Sequence, residues 1–82
     1  MIHDIDDSVG LYMGEINRFE RPHGKGIWAD DSKILEGYWE HGSLNIQGRE
    51  INSKGMTVWE GEMKYNKPFG EGKFDLLLFQ FY

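Results

Sequence analysis

The chain has no cysteine and only two prolines among its 82 residues. Without cysteine there is no disulfide framework and no thiolate metal site. That usage suits an intracellular protein. No basic stretch leads into an apolar core near the N-terminus, so no secretory signal is expected. The longest uninterrupted apolar run is Leu76–Phe79, far below the roughly 20 residues a membrane-spanning helix needs. Basic residues are in deficit, 9 Lys and Arg against 14 Asp and Glu, for a net charge of −5. A nucleic-acid surface would show the opposite balance, so no nucleic-acid partner is expected. Attraction to anionic lipid is disfavoured on the same ground.

What is present is glycine and aromatic character, 11 Gly with 12 Phe, Tyr and Trp. Glycine suppresses helix and aromatics favour strand, so the composition points to a tight-turned all-β protein. One domain is the expectation for this length, with a thin core.

The chain repeats itself. Trp59-Glu60-Gly61-Glu62-Met63 has the same shape as Leu35-Glu36-Gly37-Tyr38-Trp39 and Tyr12-Met13-Gly14-Glu15-Ile16. Each reads large-apolar, x, Gly, x, large-apolar, the period-2 pattern of a half-buried strand. Downstream, Pro22-His23-Gly24-Lys25-Gly26 corresponds to Pro68-Phe69-Gly70-Glu71-Gly72. The middle copy keeps only Gly48, with Ile46 in place of the earlier glycine. Gly42 and Asn66 hold equivalent places in the turns, and both types tolerate positive φ. The first copy's turn, Asn17 to Arg21, is one residue longer and offers no such residue. Asp30-Asp31-Ser32 and Asn52-Ser53-Lys54-Gly55 join the copies with ordinary turn chemistry.

This pattern resembles the MORN repeat (membrane occupation and recognition nexus). The third copy matches best, the first carries a turn insertion, and the middle one is degenerate. The resemblance covers residues 12–74 and implies one elongated, curved antiparallel sheet of stacked β-hairpins. The chain then divides into an N-terminal leader or cap (1–11), three copies (12–34, 35–58 and 59–74) and an apolar tail or closing strand (75–82). Three repeats is about the minimum for such an array, so its ends need caps.

The motifs that suggest chemistry have plainer readings. Gly70-Glu71-Gly72 has no following helix and no Lys-Ser/Thr ending, so phosphate binding is not expected. Its glycines instead offer bare backbone to an aromatic from the next hairpin. Asp4, Asp6, Ser8, Leu11 and Glu15 mimic calcium-loop spacing, yet Val9 stands where that loop needs glycine. His3, His23 and His41 lack metal-ligand spacing. Glu36, Glu60 and Glu62 fall on strand positions facing solvent, with no base or nucleophile beside them. No enzyme activity, cofactor or metal is expected.

The aromatic stripe is either core alone or core plus a groove for a partner protein. The candidate partner-binding residues are Tyr12, Trp28, Trp39, Trp59, Phe69 and Phe74, with Leu76, Leu78, Phe79 and Phe81 of the tail. The resemblance implies a scaffolding subunit of a larger eukaryotic assembly, in the cytoplasm, cytoskeleton or cilium, or in a mitochondrial complex. A second reading is peripheral membrane or phosphoinositide contact through Lys64, Lys67 and Lys73, with Lys25 and Arg21.

Overall fold

The computed structural model describes residues 1–74. Seven strands form one antiparallel sheet in sequence order: β1 Ile2–Ile5, β2 Ser8–Ile16, β3 Pro22–Ala29, β4 Lys33–Glu40, β5 Ser43–Asn52, β6 Thr57–Lys64 and β7 Lys67–Phe74. The all-β expectation and the single curved sheet of hairpin connections are both observed. The molecule measures 44 × 26 × 19 Å.

The leader is itself a hairpin. β1 pairs with the start of β2 across Asp6-Asp7, placing Ile2 opposite Leu11. This places the calcium-like residues apart, Asp4 on β1, Asp6 in the turn and Ser8, Leu11 and Glu15 on β2. Turns β4–β5 and β6–β7 are two residues long, His41-Gly42 and Tyr65-Asn66, with positive φ throughout. Such turns match the right-handed twist of the flanking strands. In the longer turn of the first copy, Glu20 takes up positive φ at 60°. No residue there was expected to.

The registers bring the repeat glycines into line. Gly14 faces Gly26, Gly26 faces Gly37, Gly37 faces Gly48, Gly48 faces Gly61 and Gly61 faces Gly72. A single file of glycines therefore crosses β2 to β7. A Cβ on Gly61, at φ 154°, would strike the Gly72 Cα. The backbones approach at this file because neither carries a side chain.

One face of the sheet is the core. Ile5, Tyr12, Trp28, Leu35, Trp39, Leu44, Trp59 and Met63 are all buried there. The aromatics cover glycines of their own hairpin, a correction to the expectation that the next hairpin supplies them. The Tyr12 ring lies on Gly26 and the Trp59 ring on Gly72. Each ring is fastened three residues on: Tyr12 Oη donates to the Glu15 carbonyl at 2.6 Å, and Trp59 Nε1 to the Glu62 carbonyl at 3.1 Å. Burial, and then the Glu15 carboxylate, push the Tyr12 phenol pKa up against the lowering effect of a His23 backbone hydrogen bond. Leu35, the middle copy's counterpart, has no such donor.

Just beyond the glycine file each hairpin carries the same bulge. One residue on the first strand (Glu15, Tyr38 or Glu62) opposes three on the second, between Gly14 and Ile16, Gly37 and Trp39, and Gly61 and Met63. Such bulges kink a strand and leave backbone groups unpaired. Glutamate fills the gap in two copies. Lys25 N–H donates to Glu15 Oε1 at 2.7 Å and Glu71 N–H to Glu62 Oε2 at 2.8 Å. The expected solvent-facing role of Glu62 is thus corrected: its carboxylate completes the bulge. The middle copy has Tyr38 there instead.

The bulge also explains the first glycine of each G-x-G pair. Gly24 has φ 98° and Gly70 φ 65°, and the substitute Ile46 adopts φ 71° all the same. A β-branched residue is a genuine outlier in that region. The Ile46 side chain is largely exposed, so replacing it forfeits little packing. Ile46→Gly is expected to stabilise the protein by about 1 kcal/mol, relieved strain exceeding the added unfolded-state entropy. Urea denaturation of the pair of proteins measures this; a loss of stability would contradict it.

Bulges and turns interlock successive copies. Gly42 N–H donates to the Pro22 carbonyl at 2.9 Å and Asn66 N–H to the Leu44 carbonyl at 3.0 Å. His41 N–H reaches His23 Nδ1 at 3.3 Å and Tyr65 N–H reaches Asn45 Oδ1 at 2.7 Å. Asn66 Oδ1 in turn accepts from Leu44 N–H at 2.7 Å. Each turn is pinned to the bulge of the copy before it, as expected where stability is shared between nearest neighbours.

Candidate functional site

Four of the expected partner-contact residues, Tyr12, Trp28, Trp39 and Trp59, are core residues, each at most 4% exposed. Trp28 lies against Gly10 and donates from Nε1 to the His3 carbonyl at 2.7 Å. Trp39 meets Tyr12 edge-on at 5.3 Å and donates from Nε1 to the Gly26 carbonyl at 3.0 Å. These rings are occupied by the chain itself, so among the described residues no aromatic groove opens on the core face. Phe74 packs against Trp59 with ring centroids 4.6 Å apart and keeps half its surface exposed. Phe69 is exposed, with the Lys64 ammonium 5.1 Å from its ring. Leu76, Leu78, Phe79 and Phe81 lie outside the described residues.

The open surface is on the opposite face. Side chains alternate across a strand, so the residues between the core positions point there. On β2 these are Val9, Leu11 and Met13, exposed by 67%, 65% and 77%. The sequence carried a signal for them. Val9 to Met13 is apolar or glycine at every position, which marks a strand with two apolar faces rather than one.

Along the glycine file this face is a trench. One stretch of it, about 540 Å³, is lined by Met13, Gly14, Lys25, Gly26, Ile27, Glu36, Gly37 and Tyr38. It continues past Gly48, Arg49 and Glu60 to Glu71, Gly72 and Lys73. Glycine backbone forms the floor, and the neighbouring positions on each strand form two walls. The β2–β4 end is predominantly apolar. At the β5–β7 end Glu60, Glu62 and Glu71 outnumber Lys73. Arg49 is engaged across the strands, its Nε 2.6 Å from Glu36 Oε1.

The lysines named for lipid contact are divided. Lys64 stands opposite Lys67, while Lys73 stands opposite Glu60. Among the described residues, no three His, Asp or Glu side chains converge as a metal site would require. No helix among them is long and apolar enough to cross a membrane. Comparison with known protein families, with curated proteins and with solved structures finds no match.

Proposed function

We propose that this chain is a non-enzymatic, MORN-type docking module, a structural subunit of an intracellular assembly that holds a segment of a partner protein in the glycine-floored trench. The observation that supports this reading is the trench itself. It runs over six strands, about 24 Å at the usual strand spacing, and leaves large apolar side chains bare at one end. Apolar patches rimmed by polar residues are where soluble proteins meet partners. The lining specifies the partner's chemistry. A complementary segment is apolar where it meets Met13, Ile27 and Tyr38, and carries Lys or Arg where it meets Glu60, Glu62 and Glu71. The acidic end of the trench favours a protein segment over an anionic lipid surface.

Photo-cross-linking tests this reading. A benzophenone side chain at Met13 should capture a partner that the same group at Asp31, in the β3–β4 turn, does not. Ile27→Asp should weaken capture at least about tenfold, as loss of a central apolar contact does. Equal capture at both positions, or indifference to Ile27→Asp, would count against the trench. Salt-sensitive binding to phosphoinositide vesicles without protein capture would favour the lipid reading.

A further inference from the structure

The chain has three histidines, His3, His23 and His41, and the fold brings all three to one turn. His41 and Gly42 connect β4 to β5, and three hydrogen bonds fix them in place. Gly42 N–H donates to the Pro22 carbonyl at 2.9 Å. His3 Nε2 lies 2.7 Å from the Gly42 carbonyl. His41 N–H donates to His23 Nδ1 at 3.3 Å. The His23 and His41 rings are 4.9 Å apart, and the His3 ring meets Trp39 edge-on at 6.3 Å. The charged groups around the His23–His41 pair come from three elements. Glu40 stands opposite His23, one step along the register that sets Trp39 against Gly24. Glu15 of β2 has its carboxylate engaged by Lys25 N–H. Glu20 and Arg21 lie just before β3, and Asp4 follows His3 on β1. Among the described residues no carboxylate forms an ion pair with any of the three imidazoles.

His3 and His23 hold the turn with opposite chemistry. A carbonyl only accepts, so His3 Nε2 carries a hydrogen. An added proton on His3 leaves that bond in place and makes it charge-assisted. A backbone N–H only donates, so His23 Nδ1 offers a lone pair and its ring is neutral. A proton there removes the acceptor and sets two donors against each other. Histidine is the side chain that changes charge between about pH 5 and 8. The next junction is built without it. Tyr65 N–H donates to Asn45 Oδ1 at 2.7 Å. Asn45 follows Leu44 as His23 follows Pro22, the two residues whose carbonyls accept the turns. We infer that His23 is a proton-sensitive latch between the first and middle copies. Neutral, it closes the His41 side of the turn onto β3. Protonated, it releases that side, while Gly42 stays pinned by its other two bonds and the junction at Asn45 is unchanged. The unfolded chain binds the proton that the closed latch excludes. The latch's stabilisation is therefore present above the imidazole range and lost as pH falls through it.

Asn45 suggests the control. His23→Asn keeps an acceptor at the same place and does not titrate. Urea denaturation at about pH 7.5 and 5.5 spans the imidazole range. Over that interval the unfolding equilibrium constant of the native protein should rise about three- to tenfold more than that of His23→Asn, the effect of one net hydrogen bond. The other titrating groups are common to both proteins and cancel. Equal rises would overturn the latch. Two measurements on the native protein need no substitution. By amide hydrogen exchange, protection of His41 N–H relative to Tyr65 N–H should fall at least about threefold over the same interval. A constant ratio would overturn the latch. Imidazole nitrogen-15 spectra at about pH 7.5 should place the His23 hydrogen on Nε2. A predominant Nδ1–H form would equally overturn it.

Discussion

Trp28→Ala is expected to remove about 3–5 kcal/mol of folding stability, the usual cost of deleting a fully buried tryptophan. Small domains have only about 5–15 kcal/mol in total. An array of this length should therefore be close to unfolding at room temperature. Three contributions act together. The ring has no exposed surface, so its whole apolar area returns to water and a cavity remains. It rests on Gly10 of β2, a glycine that presents nothing able to fill the space. Its Nε1 also donates to the His3 carbonyl, so the substitution loosens β1, the strand that caps the array. Urea denaturation followed by circular dichroism measures the loss. A change below about 1.5 kcal/mol would mean that this face is not the core.

The second large effect comes from adding a single methyl group. Gly26→Ala should destabilise by about 2–3 kcal/mol, at the upper end for overpacking. The new Cβ would overlap the Tyr12 hydroxyl and ring. That ring has nowhere to go. Trp39 packs against its side at 5.3 Å, and its hydroxyl is held by the Glu15 carbonyl at 2.6 Å. Gly55→Ala provides the contrast. Nothing lies within 4 Å of the Cβ it would add, at φ 81°, so only left-handed backbone strain of about 1 kcal/mol applies. A double-mutant cycle isolates the packing cause. Combined with Tyr12→Ala, Gly26→Ala should cost far less than it does alone, since residues in direct contact do not add. Strict additivity would show that Gly26 is required for backbone reasons and not to receive the ring.

Both predictions follow from the same device. Among the described residues the array is one sheet thick, and the backbone takes part in covering the aromatics. Tyr12 and Trp59 lie against glycines of their partner strands, and their polar tips donate to the carbonyls of Glu15 and Glu62 at the bulges. The bulge in turn supplies the free N–H groups of Lys25 and Glu71 that Glu15 and Glu62 accept. Aromatic, glycine, bulge and glutamate form one unit, present twice in full. The middle copy lacks the aromatic, the first glycine and the glutamate, with Leu35, Ile46 and Tyr38 in their places. It still keeps the same registers and bulge, because intact copies on either side impose them.

The sequence by itself determined the all-β class, the repeat and the turns that hold Gly42 and Asn66. These depend on local chemistry: period-2 alternation, glycine spacing and residues that tolerate positive φ. It singled out Trp28, Trp39 and Trp59 as candidate partner contacts and left open whether they were core alone; the structure buries all three. Only the tertiary structure decided which side of the sheet they fill. Alternation separates the two faces of a strand but does not say which face the chain will cover with its own rings. Register settled that, by setting Tyr12 over Gly26 and Trp59 over Gly72 within their own hairpins. Register also joined glycines far apart in the chain into one file, placed Glu62 against a freed N–H, and held Ile46 in a conformation its side chain disfavours. The trench is a product of that same alignment. Its members, such as Met13, Ile27 and Tyr38, are unremarkable within their own strands and become a surface only when the strands lie side by side.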